Sequence, residues 1–192
     1  MLNFKENQNM KQIQLLGLTF IVISLIACGQ TTQKNTGKET ENGWKALNES
    51  SYSIQYPENW DLDKSGKMGM SLILLSKQSS PQDQFRDNVN LLIQDLQGQN
   101  INLDKYVEIS EGQIKTMITN GNLIESKRLS ENGSEFQKVI YSGDQGVYKL
   151  KFEQYYWIKN GKAYVLTLTC EIEQFETYKV TGEKILNSFR LK

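Results

Sequence analysis

Alternation of apolar and polar residues dominates the chain after residue 44 and predicts β-strands. Tyr52, Ile54 and Tyr56 alternate with polar residues up to Pro57. The pattern favours a domain built mainly from a sheet, because further β-rich runs alternate with turn-forming residues. These runs predict strands at 70–75, 88–93, 123–129, 135–141, 147–158 and 162–170.

Two stretches follow the period of an α-helix instead. In the first, Asn102 can cap a helix that Gly121 would end. In the second, Gly182 costs about 1 kcal/mol of helix propensity, so we expect this helix to lie close against the sheet. The apolar stripes comprise Leu103, Tyr106, Val107, Ile114, Met117 and Ile118 in the first stretch, and Phe175, Tyr178, Gly182, Ile185, Leu186 and Phe189 in the second.

Asn160-Gly161 predicts a two-residue hairpin turn that places Lys159 opposite Lys162. Both faces of this hairpin are then apolar, which predicts a central position covered on both sides. We therefore expect an α+β fold in which an antiparallel sheet is flanked by helices on both faces. One face carries Phe152, Tyr156, Ile158, Ala163 and Val165, and the other carries Tyr155, Trp157, Tyr164, Leu166, Leu168 and Cys170.

The N-terminus has the pattern of an export signal: Lys5 and Lys11 precede an uncharged run at 13–27. This run is shorter than the roughly 20 residues that a spanning helix needs. Its end, Leu-Ile-Ala-Cys at 25–28 followed by Gly29, resembles the lipobox of bacterial lipoproteins. The resemblance implies that residues 1–27 are a cleaved signal peptide and that acylated Cys28 attaches the protein to the bilayer. A plain secretory signal or an uncleaved anchor stays open.

Residues 28–43 are predicted to be the lipidated cysteine and a flexible linker, because 29–43 contain no aliphatic or aromatic side chain. A linker of this length typically reaches about 20 Å. The globular domain is then 44–192, held on the extracytoplasmic side of a bacterial membrane. Gly29, and not an Asp, follows the predicted lipidated cysteine. If the cell has two membranes, this resembles the pattern of lipoproteins that are sent to the outer membrane.

The composition of the chain argues against several classes of function. Lys and Arg number 22, as do Asp and Glu, so no net field attracts nucleic acid. The chain has no histidine, and so lacks the commonest general base and zinc ligand. The Asp61-x-Asp63-x-Ser65-Gly66 stretch imitates half of a calcium loop, but Leu72 occupies the position that requires a Glu. We expect no metal, no cofactor and no catalytic residue.

The residues also resemble a known family. Tyr-Ser-Ile-Gln-Tyr-Pro-Glu-Asn-Trp at 52–60 is similar to the opening of PsbP-like domains, and 88–91 resembles their next strand. The stretch 164–169, followed by Phe175, Tyr178 and 185–189, is similar to the family's closing strand and helix. The resemblance covers 44–192 and implies an antiparallel sheet between helices, a fold shared with the Ran-binding nuclear import factor. Partner binding is what such domains share.

Two interpretations remain for the aromatic group Tyr155, Trp157 and Tyr164. Tyr and Trp are enriched at binding hot spots, so the group is a candidate partner surface. The favoured alternative is a core packed under the C-terminal helix, and Cys170 is interpreted in the same way, as a small buried residue. We therefore expect a tethered binding or accessory module for an envelope protein. The second hypothesis is a small hydrolase that works without histidine, which would need a pocket with convergent Ser and Lys or two close carboxylates.

Overall fold

The structure, a computed structural model, describes residues 38–40, 43–131 and 133–192. The predicted signal peptide 1–27 and Cys28 lie outside the described residues, as does most of the linker. No helix in the described ranges is long and apolar enough to cross a membrane. The strands are β1 (Lys38–Thr40), β2 (Trp44–Asn48), β3 (Tyr52–Pro57), β4 (Asp61–Asp63), β5 (Met70–Leu75), β6 (Asn88–Asp95), β7 (Thr119–Glu131), β8 (Ser134–Gln145), β9 (Tyr148–Lys159), β10 (Lys162–Glu171) and β11 (Arg190–Leu191). The α-helices are α1 (Leu103–Met117) and α2 (Phe175–Asn187), and a short 3-10 helix spans Lys67–Gly69.

The strands form two antiparallel sheets. The larger sheet has the order β4-β5-β6-β10-β9-β8-β7, and the smaller has the order β1-β2-β3-β11. An antiparallel α+β fold is thus confirmed, but the second sheet was not predicted. Its strand β11 has only two residues, which is too short for any alternation to show.

The β9–β10 hairpin has the predicted register, with Lys162 opposite Lys159 and Tyr164 opposite Trp157. Asn160 and Gly161 both have positive φ angles, 52° and 70°, as the tight turn requires. β10 lies between β6 and β9, so the prediction of a central hairpin is confirmed.

Apolar side chains collect in two clusters. One contains Leu166 and Leu168 of β10 together with Phe175 of α2 and Ile54 of the smaller sheet. The other contains residues of β9 and β10 together with Ile114 of α1. Each helix therefore packs into a different cluster, and the cluster beneath α2 is also covered by strands of the smaller sheet.

Both helices begin close to the predicted positions. The Asn102 side chain accepts a hydrogen bond from the Lys105 backbone N–H at 2.9 Å, as expected for an N-cap. The predicted stop at Gly121 was wrong, because α1 ends at Met117 and Gly121 already belongs to β7. A Cβ at Gly121 would lie 2.1 Å from the carbonyl oxygen of Ile114, so this glycine lets the strand pass close to the helix.

Candidate binding cleft

A cleft of about 720 Å³ opens where the β7–β8 hairpin approaches the C-terminal end of α2. Its volume lies within the range of about 300–1,000 Å³ that is usual for small-ligand sites. Four parts of the chain far apart in sequence form it: the start of α1, the β7–β8 hairpin, β9 and the C-terminal segment. They contribute, among others, Leu103, Glu131, Phe136, Tyr155, Trp157 and Arg190.

The floor of the cleft is aromatic. The Phe136 ring centroid lies 5.0 Å from that of Tyr155 and 5.2 Å from that of Trp157, and the centroids of Trp157 and Phe189 are 5.0 Å apart. These rings pack mainly on one another, because all four side chains are buried. The floor is consequently rigid and offers little free aromatic surface for stacking.

The three aromatic residues singled out from the sequence do not all lie at the cleft. Tyr155 and Trp157 line the cleft, whereas Tyr164 is not among the lining residues. Their exposed fractions are 3%, 7% and 5%, so none of them forms an exposed patch. The favoured interpretation as core residues agrees with this burial, and a partner could reach only the parts of Tyr155 and Trp157 that line the cleft.

The rim of the cleft carries charges of both signs. A guanidinium nitrogen of Arg190 lies 3.3 Å from Oε1 of Glu131. The other charged residues of the rim are Glu135, which is exposed, and Lys159, which is half-buried. The Tyr155 hydroxyl donates to Oδ1 of Asn187 at 3.2 Å. Burial, reinforced by the nearby Glu153 carboxylate, raises the pKa of Tyr155, so its hydroxyl remains a donor.

The cleft offers contacts for binding but no activated nucleophile. Among its lining residues, no hydrogen bond joins the hydroxyl of Ser134 to a lysine or a carboxylate. Activation of a serine depends on such a bond to a base. The chemistry of the lining residues therefore fits recognition of a partner better than acyl transfer.

Two close carboxylates do occur, but away from the cleft. Lys138 Nζ lies 2.8 Å from Oε1 of Glu153 and 3.4 Å from Oε1 of Glu183 on α2. Burial acts to lower the pKa of Lys138, but hydrogen bonds and charge from the two carboxylates outweigh burial and raise it. Glu153 has no solvent exposure, whereas Glu183 is partly exposed, so the group links α2 to the sheet through Lys138 and only Glu183 is open to solvent.

Cys170 is fully buried, as predicted from its position on the apolar strand face. Burial and the neighbouring Asp87 carboxylate raise the pKa of the thiol, which donates a hydrogen bond to Asp87. A protonated, inaccessible thiol is a poor nucleophile. Within the described residues, no group of three or more Cys, Asp or Glu side chains is arranged to hold a metal ion.

The chain is similar in structure to several known proteins, although no protein-family model and no curated protein sequence matches it. Cyanobacterial PsbP (CyanoP) from Synechocystis sp. PCC 6803 is 15% identical with a TM-score of 0.61, over 83% of this chain and 98% of that one. LpqN of Mycobacterium tuberculosis, described as involved in cell envelope biogenesis, is 13% identical with a TM-score of 0.55, over 79% and 93% of the two chains. PA94 of Pseudomonas aeruginosa, of unknown function, is 10% identical with a TM-score of 0.54, over 77% and 96%. The fold is therefore PsbP-like, which confirms the resemblance inferred from the sequence.

Proposed function

We propose that this protein is a lipoprotein of the bacterial cell envelope that acts as a non-catalytic binding or accessory module for an envelope protein or complex. The observation that carries the proposal is the cleft, which combines a rigid aromatic floor with a rim of both charges and has no activated nucleophile. A preformed concave site with a few charges on its rim is typical of sites that recognise another molecule.

The sequence supports the envelope location in this proposal. Cys28 at the end of the uncharged run would carry the acyl chains, and the polar linker would keep the domain near the bilayer. Tethering raises the local concentration of partners in the same membrane, so a modest affinity suffices. The description of LpqN as involved in cell envelope biogenesis is in keeping with this location. In the proposed domain, α1 and α2 are the outer layers of an α/β/α arrangement.

A photocrosslinking experiment in intact cells tests the cleft as the binding site. A photoreactive amino acid replaces Ser134, an exposed cleft residue at the start of β8. In a matched control it replaces Val147, an exposed residue in the β8–β9 turn. We expect the Ser134 probe to trap one specific envelope protein and the Val147 probe to trap none.

Two results would overturn the proposed function. One is equal labelling of the same proteins from both positions, which would indicate no preferred surface. The other is a hydrolase activity on ester, peptide or glycoside substrates that survives purification and disappears when a single Ser, Lys or carboxylate is replaced without loss of fold. That activity would establish the enzyme hypothesis instead.

A further inference from the structure

Strand β7 is a long edge strand with an open side. It has 13 residues, Thr119–Glu131, and pairs with β8 at one end of the seven-stranded sheet. In the part of the chain that the structure describes, no strand pairs with its other side. Such an edge presents unpaired N–H and C=O groups to which another strand can bind.

The two edges of the large sheet differ in how well they are protected. At the opposite edge, β4 has only three residues, a length that limits pairing. In β7 a bulge between Leu123 and Glu125 interrupts the first half of the strand. From Glu125 onward the strand runs in unbroken register with β8 up to Glu131, so a regular edge of seven residues remains.

The order of residues along this regular edge is self-complementary. When residues 127–131 pair antiparallel with the same residues of a second copy, Lys127 lies opposite Glu131, Arg128 opposite Ser130, and Leu129 opposite Leu129. Lys127, Leu129 and Glu131 share one face of the sheet, because side chains alternate along a strand. Opposite charges and apolar pairs in directly facing positions stabilise antiparallel pairing.

Other registers are less favourable. Centring the pairing on Lys127 places two lysines opposite each other, and centring it on Arg128 places Glu125 opposite Glu131. A register centred on Ser126 draws the bulge into the pairing. Charged residues on an edge usually prevent such pairing, but in the register centred on Leu129 opposite charges flank an apolar pair and no like charges face each other.

Two features of the free protein agree with this register. Lys127 is exposed and forms no ion pair among the described residues. Glu131 of a second copy, which already pairs with Arg190 of its own chain, would supply the first partner of Lys127. Leu129 is half-buried and already packs against the apolar cluster beneath α2. A second Leu129 beside it would extend that cluster across the boundary between the copies.

We propose that β7 pairs antiparallel with β7 of a second copy, with Leu129 on the two-fold axis, so that one continuous sheet runs through a symmetric homodimer. The same surface is used by both copies, as two-fold symmetry requires. The contact needs neither the lipid anchor nor a cleft partner, although Glu131 belongs both to this edge and to the rim of the cleft, where it pairs with Arg190.

The test uses charge reversals whose effects cancel only in a mixture. Lys127→Glu places Glu opposite Glu in its own dimer, and Glu131→Lys places Lys opposite Lys. An equimolar mixture of the two variants restores an opposite-charge pair at both positions of the heterodimer. Sedimentation velocity of the full-length protein in a mild detergent, with the two variants carrying different fluorophores, measures all three cases.

We expect a concentration-dependent dimer for the unmodified protein, a dissociation constant at least about tenfold weaker for each single variant, and recovery in the mixture. Glu173→Lys, an exposed change of the same kind in the turn between β10 and α2, should leave the dimer intact. A monomer at all concentrations would overturn the proposal. So would a dimer that the single variants do not weaken, or a mixture that stays dissociated although circular dichroism shows both variants folded.

Discussion

Asp87 is a carboxylic acid that the fold removes almost completely from solvent. Only 2% of the residue is exposed, and its Oδ1 atom has no hydrogen-bond partner among the described residues. Burial raises the pKa of Asp87 to about 6, although the hydrogen bond from the Cys170 thiol opposes the rise. In the sequence this residue is one of several scattered carboxylates, and nothing local marks it as buried.

This raised pKa predicts how stability depends on pH. Between pH 4 and 6 the folded protein keeps a proton on Asp87 that the unfolded chain, with a pKa of about 4, has already lost. The free energy of unfolding is therefore highest below about pH 4 and falls as the pH rises from about 4 to 6. Asp87→Asn removes this titration, so we expect the variant to gain about 3 kcal/mol of unfolding free energy at pH 7. Urea unfolding at pH 4, 5, 6 and 7 measures the change.

A carboxylate on the surface provides the control for this prediction. Asp95→Asn, in an exposed position at the end of β6, should keep the fall in stability between pH 4 and 6. If Asp87→Asn has the same pH dependence as the unmodified protein, Asp87 does not take up a proton between pH 6 and 4 in the folded state and the prediction is wrong.

Helix α2 lies unusually close to strand β10 at Gly182. A Cβ at this position would lie 2.5 Å from Cδ2 of Leu168 and 2.7 Å from its Cδ1, and Leu168 is fully buried. The expectation that the glycine permits close packing of the helix is confirmed. Helix α1 contains a contrasting glycine, Gly112, which is exposed and has no atom within 4 Å of the equivalent Cβ position.

The two glycines make a matched pair of substitutions with opposite outcomes. Both changes to alanine gain about 1 kcal/mol of helix propensity. At Gly182 the overpacking against Leu168 costs about 1–3 kcal/mol, so we expect a net loss of stability. Gly112→Ala should instead be more stable by about 1 kcal/mol. Urea midpoints for the two variants test the difference, and a stabilised Gly182→Ala would show that α2 can move away from the sheet without cost.

Local signals account for the elements that were predicted correctly. The Asn102 cap and the Asn160-Gly161 turn act through backbone geometry within a few residues, so the sequence is enough to locate them. The pairing of β11 with β3 joins residues more than a hundred positions apart, Arg190 with Ser53, and has no local signature.

At the scale of the whole molecule, the proposed anchor depends on Cys28. Cys28→Ala should abolish incorporation of labelled palmitate and leave an uncleaved precursor, because the lipobox cysteine is both the acylation site and the cleavage position. Gel mobility and lipid labelling of cell membranes measure both effects. Cys170→Ala is the matched control and should retain the label, since this thiol is buried.

Mass spectrometry of the mature protein can contradict the anchor directly. A mature N-terminus at a residue other than Cys28, without a lipid, would favour the plain secretory signal. An intact N-terminus would favour the uncleaved anchor.

The sequence alone determined the α+β class, the central hairpin and its register, and the absence of histidine chemistry, because periodicity, turn residues and composition are local properties. Only the tertiary structure decided the cleft. The order of the strands places Phe136 beside Trp157. The return of the chain after α2 places Arg190 beside Glu131. It also decided that Tyr155 and Trp157 are buried, since their exposure depends on the packing of Phe136 and Phe189 against them and not on any property of β9 itself.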